Sequence, residues 1–354
     1  MTSFKANALP LLIGSLPMDN HRAATQMVMD HTPEIPLWVQ LPRFREEGMI
    51  NQFLPGLPGL TVLNDKHFID TQKPGFDDEF LAFFEDYLAM SESGTDLDGT
   101  RFAFTDETGK GFAEFLIQVD DNIGPFAALK GQVTGPITFC TGVKDEQDRD
   151  IFYNDQLRDA AVKKLALNAG WQAKTFAKRG FIPIIFLDEP ALAGFGTSAY
   201  ITISKEDVIS SFEEIVLEIH GQGGLAGVHV CANTEWDMLL GSRIDIISFD
   251  AFSFFDKFIL YPDMIKTYLN RGGILAFGIV PTANAEEIAQ QTTQGLVEKF
   301  EAQVAQLVDL GFDRQRVIEQ AFITPSCGTG SLDLESAKKV LQLTKEVSAV
   351  VRAE

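Results

Sequence analysis

The sequence predicts an α/β protein, a single (β/α)8 barrel of the TIM type with an insertion after the second strand. Short runs rich in Val, Ile, Leu and Phe alternate with longer amphipathic stretches, and each run ends at Gly, Pro or a polar residue. The apolar runs are nearly continuous, which is typical of parallel strands that crossover helices cover. Eight such runs favour a closed barrel, with an open doubly wound sheet as the alternative.

The eight apolar runs are the predicted strands. They span residues 11–13, 37–40, 128–133, 182–187, 225–230, 244–249, 274–279 and 322–324. A chain of 354 residues is longer than an average domain, but a barrel with insertions routinely fills one domain of this size. We therefore expect residues 1–354 to form one catalytic domain.

Seven segments with apolar residues at three-and-four spacing are the predicted helices. They span residues 19–30, 77–90, 111–121, 150–179, 205–220, 286–310 and 334–350. Ser204, with acidic residues in the turn that follows, and Ser331 are the predicted N-caps of two of them. The stretch from about 42 to 101 is too long for one crossover and contains turn-forming residues at 55–59 and 93–95. We expect it to form an inserted lobe near the barrel mouth.

Charge and cysteine content argue against several classes of partner. Asp and Glu number 50 against 29 Lys and Arg, and the net charge of −21 repels nucleic-acid phosphates and anionic membrane surfaces. No apolar stretch approaches the roughly 20 residues that span a bilayer, and the run at 8–13 is too short for a signal peptide. Three cysteines favour free thiols or metal ligands in a reducing compartment. We therefore expect a cytoplasmic protein with neither a nucleic-acid nor a membrane partner.

Chemically active residues collect where the predicted strands end, which is where barrel enzymes place their active sites. These positions hold Gly14-Ser15, Gln40, Thr134-Gly135-Pro136, Asp188-Glu189-Pro190, His229, Cys231, Asp250, Gly278, Pro281 and Cys327-Gly328. Two of the three cysteines and one of the five histidines are among them. Surface loops chosen at random would not collect these residue types, so the sequence predicts a functional site at this end of the barrel.

His229, Cys231 and Cys327 form a candidate metal site. His229 and Cys231 are two residues apart on one strand and point to the same face, and closure of a barrel brings Cys327 towards the same axis. Two thiolates and one imidazole favour Zn²⁺, with a fourth position left for water or substrate. The spacing equally allows all three to be ordinary buried core residues. Asp250 is either a fourth ligand that substrate displaces or a hydrogen-bond partner of His229.

Together these segments resemble the superfamily that contains cobalamin-independent methionine synthase, the zinc methylcobamide:coenzyme M methyltransferases and uroporphyrinogen decarboxylase. The likeness covers nearly the whole chain. It is carried, in order on successive strand ends, by Ile13-Gly14-Ser15, residues 133–138, residues 187–192, His229-Val230-Cys231, residues 247–250 and Cys327-Gly328. Because the decarboxylase branch does not use such a metal triad, the resemblance is closer to the zinc methyltransferases and to the C-terminal catalytic domain of methionine synthase.

The resemblance implies roles for single residues. The triad would bind zinc, and Asp250 stands where methionine synthase has a Glu ligand, although Asp is one methylene shorter. The segment at Ile13 matches backbone that meets the carboxylate of homocysteine, and Asp188 matches an acid that receives its amino group. The implied substrate-binding residues are therefore Ile13, Gly14, Ser15, Asp188 and Glu189, with Asp188 also the catalytic candidate.

Two departures from methionine synthase concern the substrate and the methyl donor. That family has a second acid for the amino group after its second strand, whereas this chain has Gln40 there and its nearest acids are Glu46 and Glu47. The family also has a His after the seventh strand that helps to protonate the folate leaving group, whereas residues 278–282 here contain no acid. Together with the absence of the family's extra N-terminal barrel, this favours a methylcorrinoid donor, carried on a partner protein.

The expected function is zinc-dependent transfer of a methyl group, from a methylcorrinoid or methylfolate, to a small-molecule thiol such as homocysteine. One alternative is a metal-free decarboxylase of a porphyrin-like substrate, whose carboxylates would be bound by Arg43, Arg45 and Arg101. Another is a non-catalytic, corrinoid-binding barrel in which zinc only joins strands.

Overall fold

A parallel sheet is the centre of the structure, a computed structural model that describes residues 4–93, 97–122, 124–195 and 202–353. The strands in these residues are β1 (Leu60–Leu63), β2 (Lys66–Ile69), β3 (Ala128–Thr134), β4 (Ile182–Asp188), β5 (Leu225–Val230), β6 (Ile246–Phe249), β7 (Ile274–Val280) and β8 (Ala321–Pro325). Strands β3 to β8 lie side by side in chain order, each parallel to the next. The predicted α/β architecture around a parallel sheet is therefore confirmed.

Helices connect the strands of the sheet and pack against them. They are α1 (His21–His31), α2 (Phe76–Ser93), α3 (Lys110–Asp121), α4 (Pro136–Gly142), α5 (Asp155–Ala177), α6 (Lys205–Gly221), α7 (Trp236–Gly241), α8 (Ala251–Phe258), α9 (Pro262–Asn270), α10 (Ala285–Gln290), α11 (Thr293–Asp309), α12 (Arg314–Glu319) and α13 (Leu334–Ala353). In the part of the chain described, no helix is both long enough and apolar enough to cross a membrane.

Local hydrogen bonds set the helix boundaries. Ser204 is the predicted N-cap of α6, and this is confirmed because its side chain accepts from the Asp207 N–H and the Asp207 side chain accepts from the Ser204 N–H. Ser331 was the wrong N-cap for α13, since the Asp333 carboxylate accepts from the Ser336 N–H at 2.9 Å. The predicted helix at 286–310 is divided into α10 and α11, because the Thr292 side chain caps a new helix.

The segments predicted as the first two strands are not regular strands. Three isolated parallel bridges involve them, and these join Pro10 to Ile323, Ser15 to Gln40 and Leu37 to Lys130. The two segments therefore lie between the β8 and β3 edges of the sheet, where the first two strands of a barrel were expected. Among the described residues, this sheet has six regular strands instead of eight. Prolines at 10 and 36, which have no N–H to donate, account for part of this interruption.

The inserted stretch contains two 3₁₀ turns, the antiparallel pair β1–β2 and helix α2. A two-residue turn, Asn64-Asp65, joins the strands with φ values of 48° and 62°, a conformation that these residue types tolerate. Two side chains of α5 hold the end of the stretch, since Lys164 Nζ donates to the Arg101 carbonyl and Trp171 Nε1 to Asp98 Oδ1. Of the turn predicted at 93–95, residues 94 and 95 lie outside the described residues.

Alternate residues of the sheet enter two different apolar clusters. Ile184 and Phe186 of β4 pack with Leu225 of β5 and with residues of the bridged segments, whereas the intervening residues pack against the helices. The face that carries Ile184 and Phe186 becomes polar towards the strand ends. There the register pairs Asp188 with His229 and His229 with Ser248. The fold therefore places polar side chains of neighbouring strands together at the carboxyl end of the sheet.

Candidate functional site

His229, Cys231 and Cys327 meet at the carboxyl ends of β5 and β8. One ligand atom from each of the three residues lies within 4.8 Å of the other two. His229 belongs to β5, Cys231 follows the last residue of that strand, and Cys327 lies two residues beyond β8. The parallel sheet thus brings together two segments of the chain that are almost 100 residues apart.

The His229 ring is arranged as a metal ligand would be. Its Nε2 atom is buried and has no hydrogen-bond partner in the described part of the chain, whereas Nδ1 lies 3.0 Å from Ser248 Oγ. A buried polar atom without a partner destabilises a fold unless something binds it, and a hydrogen bond to the second ring nitrogen is the usual support of a ligating His. Burial, helped by the charge of Lys130, lowers the pKa of His229 to about 3. The ring is therefore neutral near pH 7 and free to bind a cation through Nε2.

The two thiols differ in pKa because one hydrogen bond joins them. A hydrogen bond from Cys327 lowers the pKa of Cys231 to about 7, although burial opposes this shift. The same contact, together with burial, raises the pKa of Cys327. Cys231 is therefore the thiol that deprotonates first, and thiolates are the form in which cysteines bind metals.

A cavity of about 320 Å³ lies beside the three residues. Its volume is that of a site for a small molecule. The residues that matter here for ligand chemistry are Ile13, Ser15, Gln40, Glu47, Asp188 and Cys327. The charged side chains in this lining are the acids Glu47 and Asp188, which suit a ligand with a cationic or hydrogen-donating group.

Asp188 lines the cavity and has a buried acceptor without a partner among the described residues. Its Oδ1 atom is buried, and no donor in the described residues contacts it. Burial raises the pKa of Asp188 to about 7, and the nearby charge of Lys130 opposes that shift. Such a carboxyl group can accept a hydrogen bond from a bound ligand at little cost to the fold.

The structure does not bring Glu189, expected among the substrate-binding residues, to the cavity. Its carboxylate accepts from the N–H groups of Ile137 and Thr138, both at 2.9 Å, and from Thr138 Oγ1 at 2.7 Å. These groups are at the first turn of α4, so Glu189 caps that helix from the neighbouring strand. A Cβ atom on Gly135 would come within 2.2 Å of Glu189 Cγ and Cδ, which explains the glycine.

The segment with Ile13, Gly14 and Ser15 forms one wall of the cavity. Ile13 and Ser15 line it directly, and Gly14 lies against the side chain of Gln132. Ser15 Oγ accepts from the Gly330 N–H at 3.1 Å and leaves no room for a side chain at Gly328. Ser15 therefore positions the loop that carries Cys327.

Asp250 does not join the three-residue group. Its Oδ1 atom accepts from the Ser253 N–H at 2.8 Å and caps α8. The ring of His229 is supported by Ser248 and not by Asp250. The structure therefore shows Asp250 as a helix cap and Ser248 as the partner of His229, and a ligand role for Asp250 stays a prediction.

The roles of three residues of the site are difficult to predict from the sequence. Ser248 supports His229 from β6, and Lys130 is a lone lysine inside an apolar strand. Glu47 lines the cavity with its Oε1 atom 2.5 Å from His21 Nε2, while Oε2 accepts from the Leu41 N–H at 3.0 Å. Glu47 was one of two nearby acids named for the amino group, and only the structure separates it from Glu46.

Comparisons with known proteins bear on the fold. No family model matches the chain, and no curated protein matches it. Among solved structures, it is similar to a B12-independent methionine synthase from Shewanella sp. W3-18-1 in complex with selenomethionine. The TM-score is 0.57 and the sequence identity 16%, over 98% of each chain. The chain therefore shares the fold of this methionine synthase along nearly its whole length.

Proposed function

We propose that this protein is a zinc-dependent methyltransferase that methylates the thiol of a small molecule. The observation that carries the proposal is the approach of His229, Cys231 and Cys327 to within 4.8 Å at the wall of a 320 Å³ cavity. Two sulfurs and one imidazole favour Zn²⁺ among common divalent ions, and three protein ligands leave a position for substrate. The fold shared with a B12-independent methionine synthase supports the same chemistry.

The residues around the cavity prepare an acceptor thiol for attack. Zn²⁺ bound there would keep a substrate thiol deprotonated near neutral pH, where a free thiol is largely protonated. Ser248 fixes the ring of His229, and Asp188 offers its free oxygen to the amino group of a thiol such as homocysteine. The cavity walls align the thiol with the methyl donor, which reduces the entropy lost in reaching the transition state.

We propose a methylcorrinoid as the donor, carried on a partner protein, with a methylfolate as the alternative. A folate amine must be protonated as it leaves, whereas cobalt(I) leaves a methylcorrinoid without a proton. At the end of β7, Thr282 Oγ1 lies 2.9 Å from Ser326 Oγ. Neither hydroxyl is an acid at neutral pH, so this strand end supplies no proton for an amine.

The positions of three arginines disfavour the decarboxylase alternative. Arg101 pairs with Asp86 at 2.8 Å, Arg45 with Asp65 at 3.4 Å and Arg43 with Asp19 at 3.9 Å. Each guanidinium is thus directed at a surface acid, and none belongs to the cavity lining. A substrate with several carboxylates would meet acidic side chains in this cavity.

Metal analysis tests the proposed centre. The purified protein should contain about one Zn²⁺ per chain, and Cys327→Ser should lose most of it. Cys140→Ala is the matched control, because Cys140 is fully buried in α4 and outside the three-residue group. Stoichiometric zinc in a Cys231→Ala, Cys327→Ala double variant would contradict the site.

A turnover assay tests the reaction. Zinc-loaded protein should methylate homocysteine or a related thiol from methylcobalamin or methyltetrahydrofolate, with the product measured by mass spectrometry. The Cys231→Ala, Cys327→Ala variant should form none above the uncatalysed rate. Zinc-loaded protein that methylates no thiol from either donor would leave the metal site without the proposed activity.

A further inference from the structure

The bridged segment that contains Trp38 and Gln40 begins a parallel ladder with β3 and then leaves it. The Trp38 N–H donates to the Lys130 carbonyl at 3.4 Å. In a regular parallel pair, the next bond would run from the Gln40 N–H to the Gln132 carbonyl. The Gln40 N–H donates instead to the Gly14 carbonyl at 3.0 Å, so Gln40 pairs with the other bridged segment. The ladder is therefore interrupted where this segment approaches the cavity.

Two glutamine side chains take the place of the missing ladder bonds. Gln132 Nε2 donates to the Trp38 carbonyl at 3.1 Å, and Gln172 Nε2 donates to the Gln132 carbonyl at 3.0 Å. The Trp38 indole N–H donates in turn to Gln172 Oε1 at 2.8 Å. All three residues are fully buried. Because a buried carbonyl without a partner destabilises a fold, these side-chain bonds stabilise the interrupted edge.

The surroundings of Gln172 fix its amide in one orientation. A Cβ atom on Gly131 would come within 2.3 Å of Gln172 Oε1, so the glycine makes room for this contact. Gln172 Nε2 also donates to Asn168 Oδ1 at 2.9 Å, one turn earlier in α5. Asn168 Nδ2 donates to the Phe102 carbonyl at 2.8 Å, at the end of the inserted stretch. The oxygen of Gln172 is thus directed at the indole and its nitrogen at β3.

The segment held in this way forms part of the cavity wall. Gln40, two residues after Trp38, is joined by a bridge to Ser15, and both line the cavity. Ser15 accepts from the Gly330 N–H in the loop that carries Cys327. A continuous series of contacts therefore runs from α5 to two sides of the cavity.

We propose that Gln172 is a positioning residue for the acceptor thiol: with Gln132, it replaces the interrupted ladder and so holds the wall that carries Gln40 and Ser15. The inference rests on the proposed function in taking a thiol as the occupant of the cavity. Gln172 is not part of the cavity lining and acts through Trp38.

Gln172→Met keeps an unbranched side chain of similar volume and removes the hydrogen bonds of the amide. The first measurement is deuterium exchange of the purified protein, followed by mass spectrometry. Exchange of a peptide covering 36–41 should become about ten- to a hundredfold faster, the range for a buried polar group that loses its partner. A peptide from β6 should keep its wild-type rate, because the loosening is local.

The second measurement is the affinity of the zinc-loaded variant for thiols, by calorimetry, which needs no methyl donor. The probes are homocysteine and 4-mercaptobutyrate, which lacks only the amino group. Both dissociation constants should rise by a similar factor, about two- to tenfold, the range of one net hydrogen bond, because a displaced wall fits either thiol less well. Zinc content should equal that of the wild type.

The matched control is Gln320→Met. Gln320 Nε2 also donates to backbone carbonyls, those of Leu269 at 2.9 Å and Gly273 at 2.6 Å, but at the amino ends of β7 and β8. Its loss should lower the free energy of unfolding while leaving thiol affinity and the exchange of peptide 36–41 at their wild-type values.

Trp38→Phe tests the same contact from the other side and serves if Gln172→Met does not fold. It removes the indole N–H and keeps an aromatic ring beside Phe104 and Phe112. Exchange of peptide 36–41 should again become faster, by a smaller factor. In a double-mutant cycle, the two changes together should loosen this peptide little more than Gln172→Met alone, because both break one bond.

Wild-type exchange of peptide 36–41 in these variants, equal loosening of β6, or unchanged affinity for both thiols would each overturn the role of Gln172. Faster exchange of peptide 36–41 in the Gln320→Met control would also overturn it, because any loss of stability would then loosen the wall. If the zinc-loaded wild type binds neither thiol, the proposed function fails, and the exchange rates alone decide whether Gln172 holds the wall.

Discussion

At the scale of the residue, His229 and Asp188 each have a buried polar atom that no described residue satisfies, and both residues line the cavity. Glu189 and Asp250 lie at equivalent strand ends, yet their carboxylates are used to cap α4 and α8. Because unpaired buried acceptors and donors are rare in folded proteins, the first pair is where a ligand is expected. All four residues stand at strand ends, so the sequence does not distinguish them. Their hydrogen bonds in the structure do.

Asp188→Asn should weaken the binding of homocysteine more than that of 4-mercaptobutyrate, the thiol that lacks only the amino group. The variant keeps the size of the side chain but loses the charge, so only the thiol with an amino group loses a charge-assisted contact, about 1.5–3 kcal/mol. The KM values of the two thiols measure this difference. Asp250→Asn is the control, since Asn also caps helices well and Asp250 is not in the three-residue group. A similar loss for both thiols would leave Asp188 a structural acid.

The residues of the candidate site differ in how far the sequence alone could indicate them. His229, Cys231 and Cys327 follow from a general rule, since parallel strands end at one edge and two-residue spacing keeps side chains on one face. Lys130 meets Ile13 across 117 positions of the chain, and Glu47 meets His21 across 26. No local pattern encodes such contacts, so these partners emerge only from the packed structure.

At the scale of the element, Glu189 joins β3, α4 and β4 at the edge of the site. Its carboxylate caps α4, Thr138 Oγ1 accepts from the Ala191 N–H at 3.0 Å, and Gly135 makes room for the acid. The ends of two neighbouring strands are therefore fixed relative to each other. Asp188, the last residue of β4, directly precedes Glu189 and is positioned by this connection.

Gly135→Ala should destabilise the protein by about 1–3 kcal/mol, the usual range for an overpacked interior. The added Cβ would lie 2.2 Å from Glu189 atoms and displace the cap of α4. Urea unfolding measures the change. Gly221→Ala is the control, because no atom lies within 4 Å of a Cβ at that position at the end of α6. Equal stability of the two variants would show that the Glu189 contact is readily rearranged.

Periodicity in the sequence predicts the long helices and misses the short ones. The segments with sustained three-and-four spacing form helices, whereas α4, α7, α8, α9 and α12 have nine residues or fewer. Two turns of helix contain too few apolar positions for a period of 3.6 to be distinguished. The hairpin β1–β2 is equally short, and its signal is the Asn64-Asp65 turn rather than its strands.

At the scale of the whole molecule, the two candidate methyl donors differ in whether the leaving group needs a proton. Methylcobalamin should support faster methylation of a thiol than methyltetrahydrofolate, because the end of β7 offers hydroxyl groups and no acid. General acid catalysis typically contributes about 10²- to 10⁴-fold, so folate turnover should be slower by roughly that factor. Both donors are compared at matched concentration, with saturating thiol and measured zinc content. Faster turnover with the folate would contradict the proposed donor.

The two bridged segments between β8 and β3 are joined to their neighbours by isolated bridges and single backbone hydrogen bonds, such as those from the Leu11, Trp38 and Gln40 amides, instead of by continuous strand ladders. Local unfolding is easiest where the fewest contacts break. Peptides covering 9–16 and 36–41 should therefore take up deuterium sooner than β4 or β5, as measured by mass spectrometry. Because Ile13 and Ser15 belong to the first bridged segment and line the cavity, a bound thiol should slow deuterium exchange in that segment. Equal protection of all these peptides would mean that the bridged segments are as rigid as the strands. Acceptor thiols would then enter the cavity without local unfolding of its wall.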